Sequence, residues 1–376
     1  MALKHDVNAK LAVGGGEVAV SIIVPTYGEA ENLPVLIPRV AQVLREAGIA
    51  AEILIVDDNS PDDTEQVCRQ LAGDYPVQLL IRRDERGLSS AVLHGMRHAR
   101  GGVLLVMDAD LSHPPEKIPE MVTTLQREDT DFVIGSRYVK GGATDGDWGF
   151  FRWLNSKAAT WLAMPLTRAR DPMAGFFAVR KSAVDSAEEL DPIGYKIGLE
   201  LLVKCRCRAV REVPIQFSDR LHGESKLTLK EQLNYLRHLK RLYEFKLGRL
   251  ARPLKFCMVG STGLAVDLSV FALLLAVAPL SIARALAIWV AMTWNFWLNR
   301  SFTFGGYKLR PIWQQYVLFC LSCLMGAVVN WSISVGLCAA FEFFAQWKIL
   351  AAVTGVLAGT AFNYLLSSRV VFQRAA

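Results

Sequence analysis

The first two thirds of the chain alternate short apolar runs with amphipathic segments. Apolar runs of strand length, separated by helical patterns, occupy residues 18–24, 52–56, 77–81 and 103–107. Continuous apolar runs bounded by breakers are typical of interior parallel strands, and their alternation with helices predicts βαβ units. We therefore expect an α/β domain with a parallel sheet, which continues through strands at 132–134 and 210–217 and a helix at 194–205.

Three of the predicted strands end in acidic loops. Glu29 follows the first strand, Asp57 and Asp58 follow the second, and Asp108 and Asp110 follow the fourth. The carboxyl ends of parallel strands share one edge of a sheet, where ligands bind in open α/β folds. Side chains two residues apart in an extended segment point the same way, and carboxylate oxygens suit Mg²⁺ bound together with substrate phosphates. An Asp-x-Asp turn alone fits a solvated loop equally well, but the clustering of three acidic loops favours a ligand site.

From about residue 253 the chain is predominantly apolar. Apolar segments that reach the ~20 residues needed to cross a bilayer occupy residues 254–278, 281–299, 314–340 and 347–368. A basic amphipathic stretch at 227–252 precedes them, and such a helix is attracted to anionic lipid. Further basic residues lie between the second and third segments. Because basic loops favour the cytosolic side of a membrane, we expect both basic regions to face the cytosol. We expect a multi-pass protein of a bacterial or archaeal cytoplasmic membrane, with its N-terminal domain in the cytosol.

Two stretches carry patterns of their own. Residues 148–164 combine aromatic and basic side chains at helical spacing, which predicts an interfacial amphipathic helix, against the alternative of an ordinary core-facing helix. The segment from Asn295 to Phe304 resembles the segment from Asn363 to Phe372, which predicts two copies of a two-helix hairpin. Asparagines in membrane helices need partners, so we expect these to join helices rather than to line a substrate path.

Composition narrows the function classes. The net charge is +6, with no basic run interleaved with aromatics in the first two thirds, so no nucleic-acid partner is expected. The seven cysteines are odd in number and scattered, which disfavours a metal finger or a disulfide framework. Residues 1–17 contain no long apolar core and are expected to form a flexible tail rather than a signal peptide.

The chemistry that these residues support is glycosyl transfer. Neither a phosphate-binding loop nor a dinucleotide-binding glycine motif occurs, so an acidic, metal-ready edge indicates a nucleotide-diphosphate substrate. Arg137, Arg152, Arg220 and Lys226 supply a basic side for an anionic acceptor, because guanidinium groups bind phosphate bidentately. A phosphate monoester is already anionic at neutral pH, so it needs little help from a base, and no catalytic histidine is expected.

The motifs resemble those of family-2 glycosyltransferases of the dolichol-phosphate mannose synthase type. The matching segments begin at Val24, Val56, Asp108, Gly135 and Arg220. Residues 254–373 resemble the GtrA-like four-helix membrane domain, in the fused arrangement of single-chain polyprenyl-phosphate mannose synthases. The resemblance implies a GT-A, Rossmann-like nucleotide-sugar-binding domain at 18–226, the basic juxtamembrane helix described above, and a membrane domain with four transmembrane helices at 253–376.

The implied reaction is transfer of mannose from GDP-mannose to a polyprenyl phosphate, with inversion and with Mg²⁺ or Mn²⁺ as cofactor. Two alternatives stay open at this point. One is the same chemistry with UDP-glucose or another UDP-sugar, since contacts to base and sugar are largely made by backbone and shape. The other is a transporter or flippase of lipid-linked sugars, which the intact acidic edge disfavours.

The resemblance also implies roles for individual residues. The donor-binding residues are then Pro25, Tyr27, Glu29, Val56, Asp57, Asp58, Asp108, Ala109, Asp110, Arg220 and Lys226. The residues that bind the acceptor phosphate are then Arg137, Arg152 and Ser156. The catalytic residues are Asp110, Arg137, Arg220 and Lys226. The metal ligands are Asp108, Asp110 and Ser112, and this last position holds Gln in many relatives, which leaves the third ligand open.

Overall fold

A computed structural model of the chain describes residues 18–127, 129–144, 150–217, 229–305 and 310–372, with only the backbone at 144, 150–156 and 229–230. The chain divides into two compact units, Met1–Lys246 and Leu247–Ala376.

A mixed sheet organises the first unit. Its strands are β1 (Val20–Thr26), β2 (Ala51–Asp57), β3 (Val77–Ile81), β4 (Val103–Val106), β5 (Phe132–Ser136), β7 (Phe177–Arg180) and β8 (Val210–Pro214). They lie in the order β3-β2-β1-β4-β7-β5-β8. Two short strands, β6 (Ala143–Thr144) and β9 (Gln216–Phe217), pair with each other in parallel outside this sheet.

The prediction of a parallel sheet holds for β1 to β4 and is wrong at β7. β1 pairs in parallel with β2 and β4, and β2 pairs in parallel with β3. β7 instead runs antiparallel between β4 and β5, and β8 is parallel to β5. Asp171, which precedes β7, contacts Arg137 at the carboxyl end of β5. The chain therefore enters β7 from that edge, which reverses the direction of the strand.

The described helices of the first unit are α1 (Leu33–Glu46), α2 (Thr64–Asp74), α3 (Leu88–His98), α4 (Ile118–Gln126), α5 (Phe150–Ala163), α6 (Lys181–Asp185), α7 (Ile197–Lys204) and α8 (Leu229–Leu247). Helices cover both faces of the sheet, whereas α5 and α8 form a third core with α7. One core joins α1 and α4 to alternate strand residues such as Ile22 and Ile53. A second core joins α3 and α7 to the residues next in line, such as Ile23 and Leu54. Strands buried on both faces explain the unbroken apolar runs.

The helix predicted at 194–205 begins later, at Ile197. Gly194 adopts a φ of +77°, a backbone conformation that favours glycine and interrupts a helix. Tyr195 and Lys196 consequently lie in a loop before α7. This difference matters, because it brings a lysine to the carboxyl edge of the sheet.

The two predicted amphipathic helices, α5 and α8, pack on each other. Tyr235 and Tyr243 of α8 donate hydrogen bonds to the carbonyls of Ala159 (2.6 Å) and Leu162 (2.7 Å). Lys246 Nζ donates to the carbonyl of Leu166 at 2.9 Å. Ala159 and Leu162 lie near the C-terminal end of α5, and Leu166 follows the helix, so these side chains fasten α8 to that end of α5. Contact of either helix with lipid stays a prediction.

The second unit is helical. It contains α9 (Ala251–Leu274), α10 (Leu280–Leu298), α11 (Ile312–Ala340), α12 (Glu342–Gln346) and α13 (Lys348–Leu366). Among the described residues, three helices are long and apolar enough to cross a membrane, namely Glu231–Leu274, Ile312–Ala340 and Lys348–Val371. α10 is not among them. The fourth transmembrane helix therefore stays a prediction.

The internal repeat predicted from the sequence has a structural counterpart. α10 and α13 each continue into a π-helical turn, Asn299–Thr303 and Ser367–Val371, at equivalent places in the two segments. Phe304 and Phe372, which occupy matching positions, stack with ring centroids 4.9 Å apart.

The aromatic contacts around this stack also occur in equivalent pairs. The ring centroid of Phe296 lies 5.7 Å from that of Phe319. The ring centroid of Tyr364, the counterpart of Phe296, lies 5.6 Å from that of Phe256. Phe304 lies 6.2 Å from Tyr364, and Phe372 lies 6.1 Å from Phe296. The two hairpins therefore meet through an approximately two-fold arrangement of rings.

The matching asparagines pack in the same way. A Cβ added to Gly263 of α9 would lie 2.2 Å from Oδ1 of Asn295. A Cβ added to Gly326 of α11 would lie 2.1 Å from Oδ1 of Asn363. Each asparagine thus occupies space that only a glycine on the neighbouring helix leaves open. That the asparagines join helices through polar contacts stays a prediction.

Candidate active site

One cavity of about 770 Å³ lies at the carboxyl edge of the first unit. It brings together eight of the predicted site residues, namely Pro25, Tyr27, Glu29, Asp58, Asp108, Ala109, Asp110 and Arg137. These residues follow the ends of β1, β2, β4 and β5, so the fold places the acidic loops beside one another as predicted.

Two predicted donor residues lie beneath the cavity rather than in its lining. Val56 is fully buried within β2. Asp57 accepts hydrogen bonds from Thr26 Oγ1 (3.2 Å) and from the backbone N–H of Ser60 (2.9 Å). Asp57 therefore ties the loops after β1 and β2 together. Direct donor contact by either residue stays a prediction.

Asp58 organises a loop that sequence reasoning missed. Its Oδ1 forms an ion pair with Arg82 Nε at 3.0 Å, and its Oδ2 accepts the backbone N–H of Gly87 at 2.7 Å. Between these two anchors, Arg86 lines the cavity and donates to Tyr27 Oη at 3.3 Å. The signal was available, because the loop after β3 ends at the same edge as the acidic loops.

Asp108 and Asp110 both face the cavity, and Ser112 supports Asp110. The Ser112 hydroxyl donates to Asp110 Oδ1 at 2.5 Å, while Ser112 itself is buried and outside the lining. Within the described parts of the chain, no group of three or more His, Cys, Asp or Glu forms a metal cluster. The two carboxylates still fit a hard divalent cation, since Mg²⁺ commonly combines one or two carboxylates with substrate phosphates.

His113 lies behind Asp108 as a neutral imidazole. The backbone N–H of Asp108 donates to His113 Nδ1 at 3.0 Å, so the ring proton sits on Nε2, which is 3.9 Å from Asp108 Oδ2. Burial lowers the pKa of His113, although Asp108 and Asp110 oppose that shift. The ring also stacks on Phe176 with centroids 5.1 Å apart. His113 thus buttresses the acidic turn and is not an imidazolium.

The basic wall of the cavity consists of Arg137 and Lys196. Arg137 follows β5 and pairs with the buried carboxylate of Asp171 at 2.8 Å. Lys196 comes from the loop before α7, and its Nζ donates to the carbonyl of Met173 at 3.4 Å. Burial, together with repulsion from Arg137, lowers the pKa of Lys196 despite the nearby carboxylates of Asp171 and Asp108.

Lys196 was missed because the sequence pattern predicted a helix from residue 194. Its signal is the glycine two residues before it, which ends regular structure at a sheet edge that already carries charge. Neighbouring Tyr195 contacts Glu231 of α8, and burial together with Glu231 raises the pKa of Tyr195 to about 12.

Part of the cavity lining comes from α5 and α8. It includes the apolar side chains of Ala158, Ala159, Leu162 and Leu236, together with the polar side chains of Glu231, Gln232 and Tyr235. The cavity therefore combines polar loops, carboxylates and cations with a partly apolar wall.

Four predicted residues cannot be placed at this cavity. Arg152 and Ser156 lie on α5, where only the backbone is described. Arg220 and Lys226 lie outside the described residues.

Comparison with known proteins assigns the chain to a family. The family model for glycosyl transferase family 2 matches residues 21–186, and the model for the GtrA/DPMS transmembrane domain matches residues 255–372. A dolichol-phosphate mannosyltransferase of Pyrococcus furiosus is 39% identical over 358 residues, which cover 94% of this chain and 99% of the relative. The chain belongs to the dolichol-phosphate mannosyltransferase family. It is a glycosyltransferase and a membrane protein.

Further similarities cover a smaller share of the chain. The dolichol-phosphate mannosyltransferase of Saccharomyces cerevisiae is 42% identical over 237 residues, which cover 61% of this chain and 88% of the relative. Among solved structures, mannosyl-3-phosphoglycerate synthase from Rubrobacter xylanophilus aligns with a TM-score of 0.49 and 21% identity, covering 62% of this chain and 77% of its own.

Proposed function

We propose that this mannosyltransferase-family enzyme transfers mannose from GDP-mannose to a polyprenyl phosphate, with inversion at the anomeric carbon. The observation that carries the proposal is the combination of groups that line one cavity. Polar loops suit a nucleoside, carboxylates and cations suit phosphates, and the apolar side chains of α5 and α8 suit a prenyl chain. The names of the relatives support mannose as the sugar.

The donor nucleoside binds at the loops after β1, β2 and β3. The cavity lining from these loops includes Pro25, Tyr27, Glu29, Asp58 and Arg86. An arginine can donate to O6 and N7 of guanine, and a carboxylate can accept from its N–H groups, a combination that uracil does not offer. Val56 and Asp57 support this end from beneath, and the predicted contacts of Arg220 and Lys226 reach the donor diphosphate.

Asp108 and Asp110 would hold Mg²⁺ or Mn²⁺ together with the donor diphosphate, while Ser112 orients Asp110. When bound, the metal neutralises charge on the leaving diphosphate. Arg137 and Lys196 add fixed positive charge on the same wall of the cavity.

The acceptor phosphate binds against Arg137 and Lys196, with Arg152 and Ser156 of α5 as further predicted contacts. Its oxygen forms a bond to the anomeric carbon on the face opposite to the diphosphate, whose bond to that carbon breaks, so the configuration inverts. The attacking oxygen already carries negative charge, so no general base is required. This agrees with a neutral His113.

The membrane topology is part of the same proposal. Residues 18–226 form the catalytic domain on the cytosolic side, 227–252 form a basic helix at the membrane, and 253–376 form the membrane domain. Basic residues on both sides of the first hairpin support this orientation. The prenyl chain leaves the cavity between α5 and α8.

The test is a transfer assay with the full-length protein in detergent and a short polyprenyl phosphate. GDP-mannose and UDP-glucose are offered separately, each with Mg²⁺ or Mn²⁺ and each with EDTA. Mannosyl lipid from GDP-mannose alone, lost with EDTA and in Asp110→Asn, is the expected result. Transfer from UDP-glucose alone would replace the donor and keep the mechanism. Absence of transfer from both would contradict the proposal and favour a transport role.

A further inference from the structure

Arg137 is held on one side by a carboxylate from a distant part of the chain. Its Nε and Nη2 donate to Asp171 Oδ2 and Oδ1, each at 2.8 Å, and its backbone N–H donates to Oδ2 at 3.1 Å. The two side-chain bonds form the parallel fork that fixes the plane of a guanidinium group. Asp171 is completely buried and Arg137 is nearly so, with 11% of its side chain exposed.

Asp171 is in turn anchored to the sheet. The backbone N–H groups of Arg170 and Asp171 donate to the two carboxylate oxygens of Glu212, each at 3.0 Å. Glu212 belongs to β8 and lies beside Ile134 of β5 in the parallel register. Two neighbouring strands therefore fix the carboxylate and the guanidinium group relative to each other.

The aromatic surroundings restrict Arg137 further. Its guanidinium carbon lies 5.2 Å from the ring centre of Phe217 and 5.3 Å from that of Tyr138. Planar stacking of this kind holds an arginine at a low entropy cost. The guanidinium group therefore has one orientation in which its cavity side is presented to a ligand.

Asp171 also supplies the counter-charge for this wall of the cavity. Arg137 is close enough to Lys196 to disfavour the charge of the lysine, and Asp171 favours the charge of both. Two buried cations side by side are costly without such a carboxylate. An incoming phosphate thus meets cations that are already paired and oriented.

We propose that Asp171 is a positioning residue that orients Arg137 toward the phosphate group in the cavity, with Glu212 as its support. The inference rests on the proposed function, because it assigns Arg137 to a phosphate of the reaction. Asp171 itself touches no substrate. Its effect on turnover passes through the guanidinium group of Arg137.

The test combines single and double variants with chemical rescue in the full-length protein. Asp171→Asn keeps the shape of the side chain but removes its charge, and Arg137→Ala removes the guanidinium group. Loss of one charged hydrogen-bonding partner should lower kcat/KM for the polyprenyl phosphate by about tenfold or more in each single variant. The double variant should be no slower than Arg137→Ala, because residues that act through one another are not additive.

Guanidinium rescue separates positioning from a general loss of structure. Added guanidinium ion, below the concentration at which the protein unfolds, should restore part of the activity of Arg137→Ala, since Asp171 can hold the free ion in place. It should not restore the Arg137→Ala, Asp171→Asn double variant. Equal rescue of both proteins, or multiplicative losses in the double variant, would overturn the proposal.

Two further variants serve as support and control. Glu212→Gln keeps one of the two acceptor oxygens and should lower kcat/KM for the polyprenyl phosphate by less than Asp171→Asn does. This variant remains informative if Asp171→Asn does not fold. Asp131→Asn is the matched control, because Asp131 likewise accepts two backbone N–H groups, from Arg208 and Ala209, at the other end of β5. An unchanged Glu212→Gln would contradict the role of Glu212. No turnover by the wild-type protein would instead reject the proposed function itself.

Discussion

At the scale of single residues, the cavity works with charged groups whose states depend on their neighbours. Lys196 illustrates this, because burial and the nearby Arg137 lower its pKa, while Asp171 and Asp108 oppose the shift. An ammonium group that binds phosphate must be protonated. Since protonation is lost as pH rises through the pKa, a lowered pKa brings this loss to a lower pH than for an ordinary lysine.

We predict that Lys196→Met lowers kcat/KM for the polyprenyl phosphate by about 10- to 100-fold, the loss expected for one charged hydrogen bond. Lys196→Arg keeps the charge at every accessible pH, so its activity should persist further into the alkaline range than that of the wild-type protein. The measurement is kcat/KM against pH, up to the ordinary lysine value of 10.5. If kcat/KM falls at the same alkaline pH in the wild-type and Lys196→Arg enzymes, Lys196 does not control that fall.

At the scale of elements, a buried charge cluster joins α7 to α8. His238 of α8 has Nε2 at 2.9 Å from Glu200 Oε2 and Nδ1 at 3.0 Å from the carbonyl oxygen of Ile193. Lys204 Nζ lies 2.7 Å from Glu200 Oε1. The cluster therefore ties α8 to the segment that carries Lys196.

Glu200 makes this connection dependent on pH. Burial raises its pKa, but His238, Lys204 and the backbone N–H of Asp191 outweigh burial and lower it to about 2 from 4.5. A lowered carboxylate pKa contributes stability above the unfolded value, which is lost as pH falls through the folded value. The shift corresponds to about 3 kcal/mol of free energy of unfolding.

We predict that Glu200→Gln is less stable than the wild-type protein at neutral pH and that the difference shrinks as pH falls from 4.5 toward 2. Thermal unfolding midpoints in detergent across this range provide the measurement. Glu65→Gln is the control, because Glu65 pairs with Arg69 at the surface, where ion pairs contribute little. A difference that does not vary with pH would contradict the role of the Glu200 charge.

At the scale of the whole molecule, the second unit consists of two similar helical hairpins. Gly263 and Gly326 make the same close approach to Asn295 and Asn363, and Phe304 stacks on its counterpart. An added methyl group at either glycine must displace an amide that is already enclosed. Overpacking of this kind costs about 1–3 kcal/mol.

We predict that Gly263→Ala and Gly326→Ala lower the thermal unfolding midpoint by similar amounts. Gly260→Ala and Gly336→Ala are the matched controls on the same two helices, because nothing lies within 4 Å of the added Cβ. These controls should be neutral or stabilising, since alanine favours a helix more than glycine does. Asn295→Ala should restore stability to Gly263→Ala. Unequal losses at the two glycines would show that the two hairpins are not energetically equivalent.

Much of this organisation could be predicted from local pattern. Buried strands that alternate with helices predicted β1 to β4, and the acidic loops after them do line one cavity. The repeat from Asn295 to Phe304 and from Asn363 to Phe372 predicted a duplicated hairpin. These features follow from the order of neighbouring residues, because strand burial, helix periodicity and the common edge of parallel strands are local or topological rules.

Tertiary structure decided the rest. The antiparallel course of β7 depends on the path that the chain takes after β5, and the place of Lys196 depends on a glycine turn at Gly194. The pairing of Arg137 with Asp171 joins residues 34 positions apart. The sequence by itself therefore determined the elements, the family motifs and the acidic edge. Which cations face that edge, and which buried carboxylates hold them there, was decided by long-range packing, because electrostatic pairing depends on distance in space and not on distance along the chain.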